Sequence, residues 1–404
     1  MITMEGPTEG RTEGRTAIVN IGRIVSGKLS EPILAGDAIL VQDGRILETG
    51  FERDLDLGGV TRIFDVQGNA VAPGLIDGHV HPAVGDWQPR LKIFDWLEAM
   101  LQAGTTSAVS QGVVHLPGRP RDPVGTKCMA ILSAKLMASF RPGGGFKGWF
   151  GTVVLEPGLR EEDFAEMSRH GVGLVAEIGA GSGIHKPGDV APMVAWARKH
   201  GMKVCIHFGG AAAPGSHTIG AGETLAIAPD IICHLNGGST AAPWRDIVQV
   251  VEETRSPLEL VYNGNPRRLR EIVELLGSRG ELDRVFLGSD QPVGIGFSPA
   301  AILKTVVMIS SVCGIPAERA LALGTGNTAA AFGLEEGRIE PGRPADLIAL
   351  DRPLGTQAAD ALGSIEVGDV PAVGMIMVDG KLTATRGKNT PQPTKPLLIR
   401  AGGG

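Results

Sequence analysis

Two histidines one residue apart, His79 and His81, close the run Ala70-Val71-Ala72-Pro73-Gly74-Leu75-Ile76-Asp77-Gly78-His79-Val80-His81. The apolar part of that run predicts a buried strand. Side chains two apart on a strand share a face, so the imidazoles project side by side and can chelate one metal ion. An isolated His-x-His is usually a pair of ordinary core or surface histidines. Here the pair stands at the C-terminal lip of a strand, after Pro-Gly and an acid, and ligand-type residues recur at the ends of later strands.

Four later segments supply those residues. Residues 172–177 end in Glu177 after an apolar stretch, 203–207 end in His207, 231–234 end in His234, and 285–290 end in Asp290. If the strand ends converge, His79, His81, Glu177, His207, His234 and Asp290 would bind two divalent ions, with Glu177 bridging them. Nitrogen and oxygen donors without thiolate suit zinc, iron or manganese and do not choose among them. Taken singly, His207 and His234 also fit satisfied core histidines, Glu177 a rim salt bridge and Asp290 a turn cap. Coincidence at so many strand ends is the less economical reading.

The elements that must position these donors follow a pattern. From Val71 onward, strand candidates end near His81, Gly112, Glu156, Glu177, His207, His234, Asn263 and Asp290. Helical segments alternate with them, among them 91–103, 126–140, 161–170, 190–200, 244–253, 267–278 and 300–313. This alternation predicts an α/β fold, a (β/α)8 TIM barrel over 71–334, whose strands bring their C-terminal ends to one site. A doubly wound sheet competes, but no Gly-x-Gly-x-x-Gly stands at a first strand–helix turn. The flanks carry short strands around the turn dipeptide Asp43-Gly44 and again through 345–350 and 374–381. Residues 17–70 and 335–390 are therefore expected to join as one small β-sandwich domain built from both chain ends. Residues 1–16 are expected to be a flexible leader and 391–404 an extended tail.

Composition narrows the partners. The 404 residues are 43% hydrophobic and 20% charged, with 59 Gly. No uncharged apolar run approaches the roughly 18 residues of a membrane span, and the first residues lack the apolar segment of a signal peptide. A net charge of -6 with mixed signs gives no basic stripe for nucleic acid. Cys128, Cys205, Cys233 and Cys313 are far apart, two of them in apolar strand-like runs, which suits free thiols in a reducing cytoplasm. A small-molecule partner is expected.

The run Pro73-Gly74-Leu75-Ile76-Asp77-Gly78-His79-Val80-His81 resembles the opening motif of the amidohydrolase superfamily, and the later histidines and Asp290 fall where that family has its metal ligands and proton shuttle. Further segments, including Asn20-Ile21-Gly22-Arg23-Ile24-Val25-Ser26-Gly27, Leu116-Pro117-Gly118-Arg119-Pro120 and His234-Leu235-Asn236-Gly237-Gly238, are similar to members that open lactams. The resemblance spans nearly the whole chain. It implies that Glu177 replaces the carboxylated lysine of many binuclear relatives, Lys127 and Lys135 being alternatives in a helical stretch. It also implies a homotetramer and hydrolysis of a cyclic amide C–N bond. The implied substrate is a six-membered lactam whose nitrogen belongs to an enamine, as in 1,4,5,6-tetrahydro-6-oxonicotinate. Two metals sharing a water bring its pKa toward neutrality, and Asp290 would act as general base and then general acid.

A substrate carboxylate would need a cation, for which Arg119 and Arg141 are candidates, ordinary loop salt bridges being the alternative. His115 and Tyr262 are further substrate-contact candidates, and His185, Lys186 and His217 lie on neighbouring loops. Phe208, Tyr262 and Gln291 depart from the lactam-opening pattern near strand ends and are expected to reshape the pocket. Competing readings are a different cyclic amide, imide or N-acyl amino acid hydrolase, a single-metal deaminase, and a metal-free scaffold relative.

Overall fold

The computed structural model describes residues 14–82, 96–112, 114, 118–140, 145–211, 216–238, 240–292 and 296–403. The class is mixed α/β with parallel strands, as the alternation predicts. Leu75–Val80, Thr105–Ser110 and Lys147–Trp149 form one parallel run, with Thr105–Ser110 in the middle. Thr152–Val153, Leu174–Ile178, Lys203–His207, Ile231–Cys233, Leu258–Val261 and Val285–Gly288 form a second, in chain order. Backbone bonds link the last strand to the first: Asp290 N–H donates to the His79 carbonyl at 2.9 Å, and His81 N–H to the Gln291 carbonyl at 2.8 Å. At the other seam, the Thr152 hydroxyl donates to the Ser110 carbonyl at 2.6 Å.

Apart from Lys147–Trp149 and Lys203, these strands are buried along both faces, as parallel strands covered by helices must be. The helices between them start where local chemistry favours a start. Asp122 accepts the Gly125 N–H at 2.9 Å before Pro123, and Asn265 accepts the Arg268 N–H at 3.1 Å before Pro266. Each pairs a side-chain cap with a proline whose missing N–H costs nothing in the first turn. Helix Trp244–Glu253 turns Ile247, Val250 and Val251 inward against the sheet. The helices observed at Pro123–Ala138, Glu161–Arg169, Pro187–Lys199, Pro266–Ser278 and Ala301–Cys313 lie within a few residues of their expected places. Short helices at Ala221–Ile227, Ala317–Leu323, Gly326–Phe332 and Ala361–Val367 were not expected from the periodicity.

Two further sheets flank this body. One runs Leu398–Ala401, Val60–Asp65, Arg15–Val19, Ala38–Gln42, Arg45–Gly50; the other runs Lys381–Ala384, Ala372–Val378, Leu347–Asp351, Ala70–Pro73, Arg23–Val25, Ile33–Leu34. Ile18, Ile39, Val41 and Phe64 from the first share one apolar cluster with Ile24, Val71, Leu347 and Met375 from the second. Both ends of the chain thus enter the same core.

Three local outcomes differ from expectation. Arg15 and Thr16, placed in the leader, already pair with Gln42 and Val41. The expected extended tail is anchored: Leu398–Ala401 pairs antiparallel with Val60–Asp65, and Asp351 accepts from the Thr394 hydroxyl and the Lys395 N–H. Finally, the single apolar run ending at His81 is two strands in two sheets. Ala70–Pro73 pairs with Leu347–Asp351, while Leu75–Val80 pairs with Thr105–Ser110.

The break falls at Gly74, where a Cβ would lie 2.1 Å from Thr106 Oγ1 and 2.4 Å from its Cγ2. Only glycine lets the backbone cross so close to Thr106. Gly74→Ala is expected to destabilise the protein by about 1–3 kcal/mol through overpacking, read as a lower urea midpoint. An unchanged midpoint would show that the crossing tolerates a side chain.

Candidate metal centre

The structure brings five of the six predicted donors into one buried cluster and sets the sixth, Asp290, against it. His79, His81 and Glu177 offer ligand atoms that lie within 4.8 Å of one another, and so do Glu177, His207 and His234. Glu177 is common to both groups. Its Oε1 stands 3.4 Å from the Nε2 atoms of both His79 and His81, while its Oε2 stands 2.7 Å from His234 Nε2 and 3.5 Å from His207 Nδ1. Asp290 Oδ1 lies 3.3 Å from His81 Nε2 and 3.6 Å from His79 Nε2.

The outer ring nitrogens fix which way each imidazole presents its lone pair. His79 Nδ1 faces a Glu259 carboxylate oxygen at 2.8 Å, His81 Nδ1 the Gly112 carbonyl at 2.9 Å, His234 Nδ1 the Phe208 carbonyl at 3.0 Å and His207 Nε2 the Gly210 carbonyl at 3.0 Å. These partners only accept, so the outer nitrogens carry the protons and donate. With one proton per ring, as metal ligation requires, all four inner nitrogens turn lone pairs toward Glu177. The inner nitrogens of His79 and His81 are 3.0 Å apart, and His207 Nδ1 is buried without a hydrogen-bond partner. Lone pairs crowded against each other and a carboxylate repel unless a cation stands among them. Outer N–H groups anchored on protein acceptors are the usual arrangement behind metal-bound histidine.

The electrostatics agree. Burial opposes ionisation of Glu177, yet His79 and His234 hold its carboxyl well below the usual range. Asp290 is lowered too, burial being outweighed by the His81 hydrogen bond and by His79. Burial works against protonation of His81, but Asp290 and Glu177 push it up to about 9. Burial opposes protonation of His79 too, but Glu259 and Glu177 hold it well above the usual imidazole range. Among the described residues, no lysine or arginine pairs with Glu177, Asp290 or Glu259. The buried carboxylates are therefore balanced only by positive charge among the histidines, carried by protons or by metal ions in their place.

The backbone is bent to deliver two of these groups. His234 has φ +35° and Asp290 φ +56°, the left-handed region that ordinary residues seldom enter. The bends are tied down locally. Glu259 Oε2 accepts the His234 N–H at 2.9 Å, and Asn263 Nδ2 donates to the Asp290 carbonyl at 2.7 Å.

The remaining candidates divide. Lys127 pairs with Asp163 and Glu166 at 2.8 Å each, away from the cluster, and it is Glu177 that occupies the fourth-strand position. Arg119, a candidate for a substrate carboxylate with salt bridging as its alternative, forms a buried ion pair: its Nη2 donates to Glu156 Oε1 at 2.7 Å and to the Gly181 carbonyl at 2.8 Å. Phe208 and Gln291 both stand beside the centre, their carbonyls accepting from His234 Nδ1 and the His81 N–H. Phe208 is fully buried in the main core, and the Gln291 amide bonds the backbone of Ser298. Tyr262 is half-buried just past strand Leu258–Val261, and its hydroxyl has no hydrogen-bond partner among the described residues. His185 and His217 stack with ring centroids 3.5 Å apart. His115 and Arg141 lie outside the described residues. Sequence reasoning missed Glu259, whose signal was an acid inside the apolar stretch Leu258-Glu259-Leu260-Val261.

Arg119→Met would leave Glu156 buried without its cation. The expected result is a stability loss of about 3 kcal/mol in urea denaturation. A raised KM with an unchanged midpoint would restore the substrate-binding role.

The amidohydrolase family pattern matches residues 70–383. The chain is 43% identical to enamidase of Eubacterium barkeri over 385 residues, covering 95% of this chain and 99% of that protein. It is 25% identical to imidazolonepropionase of Symbiobacterium thermophilum, covering 86% of this chain and 91% of that protein. A crystal structure of enamidase superposes with a TM-score of 0.90 at 42% identity, covering 96% of this chain and all of that one. A prolidase complexed with N-methylphosphonate-L-proline shares the fold, with a TM-score of 0.64 at 17% identity over 92% of this chain and all of that one.

Proposed function

Since the chain belongs to the amidohydrolase family, we propose that it is a binuclear metal-dependent hydrolase that opens a cyclic amide at its C–N bond, in the manner of enamidase. The observation that carries the reading is Glu177, whose two oxygens each face a different pair of inward-turned histidine nitrogens. Near-complete coverage at 43% identity to enamidase supports the reaction class.

In this reading His79, His81 and Glu177 would hold one ion, with Asp290 beside them, and His207, His234 and Glu177 would hold the other. Zinc and iron suit the donors, as does manganese. When bound, such ions supply a water acidic enough to ionise near neutral pH and a Lewis acid for a carbonyl. The protein's own contribution is a buried, preorganised pocket and a proton carrier. Asp290, held ionised by His81 and His79, takes the proton of the attacking water at Oδ1 and returns it to the leaving nitrogen as the C–N bond breaks.

Substrate contact is assigned to Tyr262, with its unoccupied hydroxyl, and to His115 and Arg141. The two parallel runs are read as one (β/α)8 barrel, supported by the hydrogen bonds at both seams. The two flanking sheets, sharing one core, are read as a β-sandwich. The resemblance favours a homotetramer, and the free cysteines suit the cytoplasm.

Purified protein loaded with zinc or iron is expected to release ammonia from 1,4,5,6-tetrahydro-6-oxonicotinate; an inert metal-replete enzyme sinks this substrate. A parallel panel of hydantoins, dihydropyrimidines and N-acyl amino acids identifies the alternatives. Asp290→Asn should lower kcat by about 10²–10⁴-fold with a smaller change in KM; near-wild-type turnover would remove the proton-carrier role. Glu177→Gln should reduce bound metal measured by elemental analysis, and full retention of metal would refute the bridge.

A further inference from the structure

Glu259 is a third carboxylate at the centre, and neither the metal donors nor the proton transfer uses it. On strand Leu258–Val261, Leu258 and Leu260 belong to the main core, so Glu259 between them points the other way. It is fully buried. A single oxygen, Oε2, accepts both the His79 Nδ1–H at 2.8 Å and the His234 backbone N–H at 2.9 Å. The neighbouring strand makes room for it. At Gly288 a Cβ would fall 2.2 Å from Glu259 Oε1 and 2.6 Å from His79 Cβ. A carboxylate this deep, with no lysine or arginine paired to it among the described residues, is expensive to retain. The fold nevertheless sets a glycine beside it.

We infer that Glu259 is a positioning residue that couples the two halves of the metal centre through that one oxygen. Its first bond fixes the His79 ring and tautomer, presenting Nε2 to the first ion's place. Its second bond holds the backbone at the left-handed turn that delivers His234 to the second ion's place. A carboxylate on the outer nitrogen also makes the inner nitrogen a stronger donor. Glu259 therefore acts through the histidines and touches no reacting atom. Glu177 joins the two sites directly, and Glu259 joins them through the His79 ring and the His234 backbone.

This inference rests on the two-ion reading, and the test separates the two. Wild type, Glu259→Gln and Glu259→Leu are prepared metal-free, their thermal midpoints recorded, and zinc affinity measured by chelator competition. Gln keeps an acceptor but loses the charge; Leu loses both. The expected result is apoproteins that fold with midpoints at or above wild type, zinc affinity about 10-fold weaker for Gln and about 100-fold weaker for Leu. Variants that fold and bind zinc like wild type overturn the inference alone. Variants whose apoprotein fails to fold, or melts far lower while binding zinc normally once folded, overturn it in favour of a merely structural role. A wild type that binds no zinc, iron or manganese overturns the two-ion reading itself.

Discussion

Four inner histidine nitrogens and the Glu177 carboxylate are turned toward one another in a buried cluster. No arrangement of neutral groups would hold there, because each inner nitrogen faces another lone pair or an anion. The outer nitrogens anchor the rings against relaxing: three backbone carbonyls and one carboxylate take their protons. The fold holds the repulsion in place. Parallel strands bring the residues to one rim, and the left-handed bends at His234 and Asp290 complete it.

The donors were legible in the sequence because each ends an apolar stretch, where a polar residue has no packing reason to stand. His79, His81, Glu177, His207, His234 and Asp290 share that signature, and it survives without knowledge of the tertiary structure. The supporting residues do not have it. Glu259 lies in mid-strand, and its meaning depends on which face of the strand is turned inward, decided by strands far away in the chain. Arg119 has the right chemistry for an anion, but its partner Glu156 is 37 residues on, and only folding shows that the charge is already matched.

The fold was legible to a similar depth. Long amphipathic helices such as Trp244–Glu253 announce themselves by periodicity, whereas Ala221–Ile227 and Ala361–Val367 are too short to show one. The apolar stretch before His79 carries no mark of changing sheets, because both of its strands are equally buried. Gly74 is the only hint, and its constraint comes from Thr106 on another strand. At the other end, Leu398–Ala401 is fully exposed in pattern and gains its place from edge pairing and the Arg400–Asp65 ion pair.

That change of sheets has a consequence for how the protein is made. The strand bearing His79 and His81 continues directly from Ala70–Pro73, whose neighbour Leu347–Asp351 lies near the far end of the chain. At ordinary translation speeds about 270 residues separate their appearance at the ribosome, an interval on the order of tens of seconds. The first histidine pair emerges early and waits without its anchoring neighbour. Assembly of this rim accordingly waits for residues made late in synthesis, Asp290 and then Leu347–Asp351.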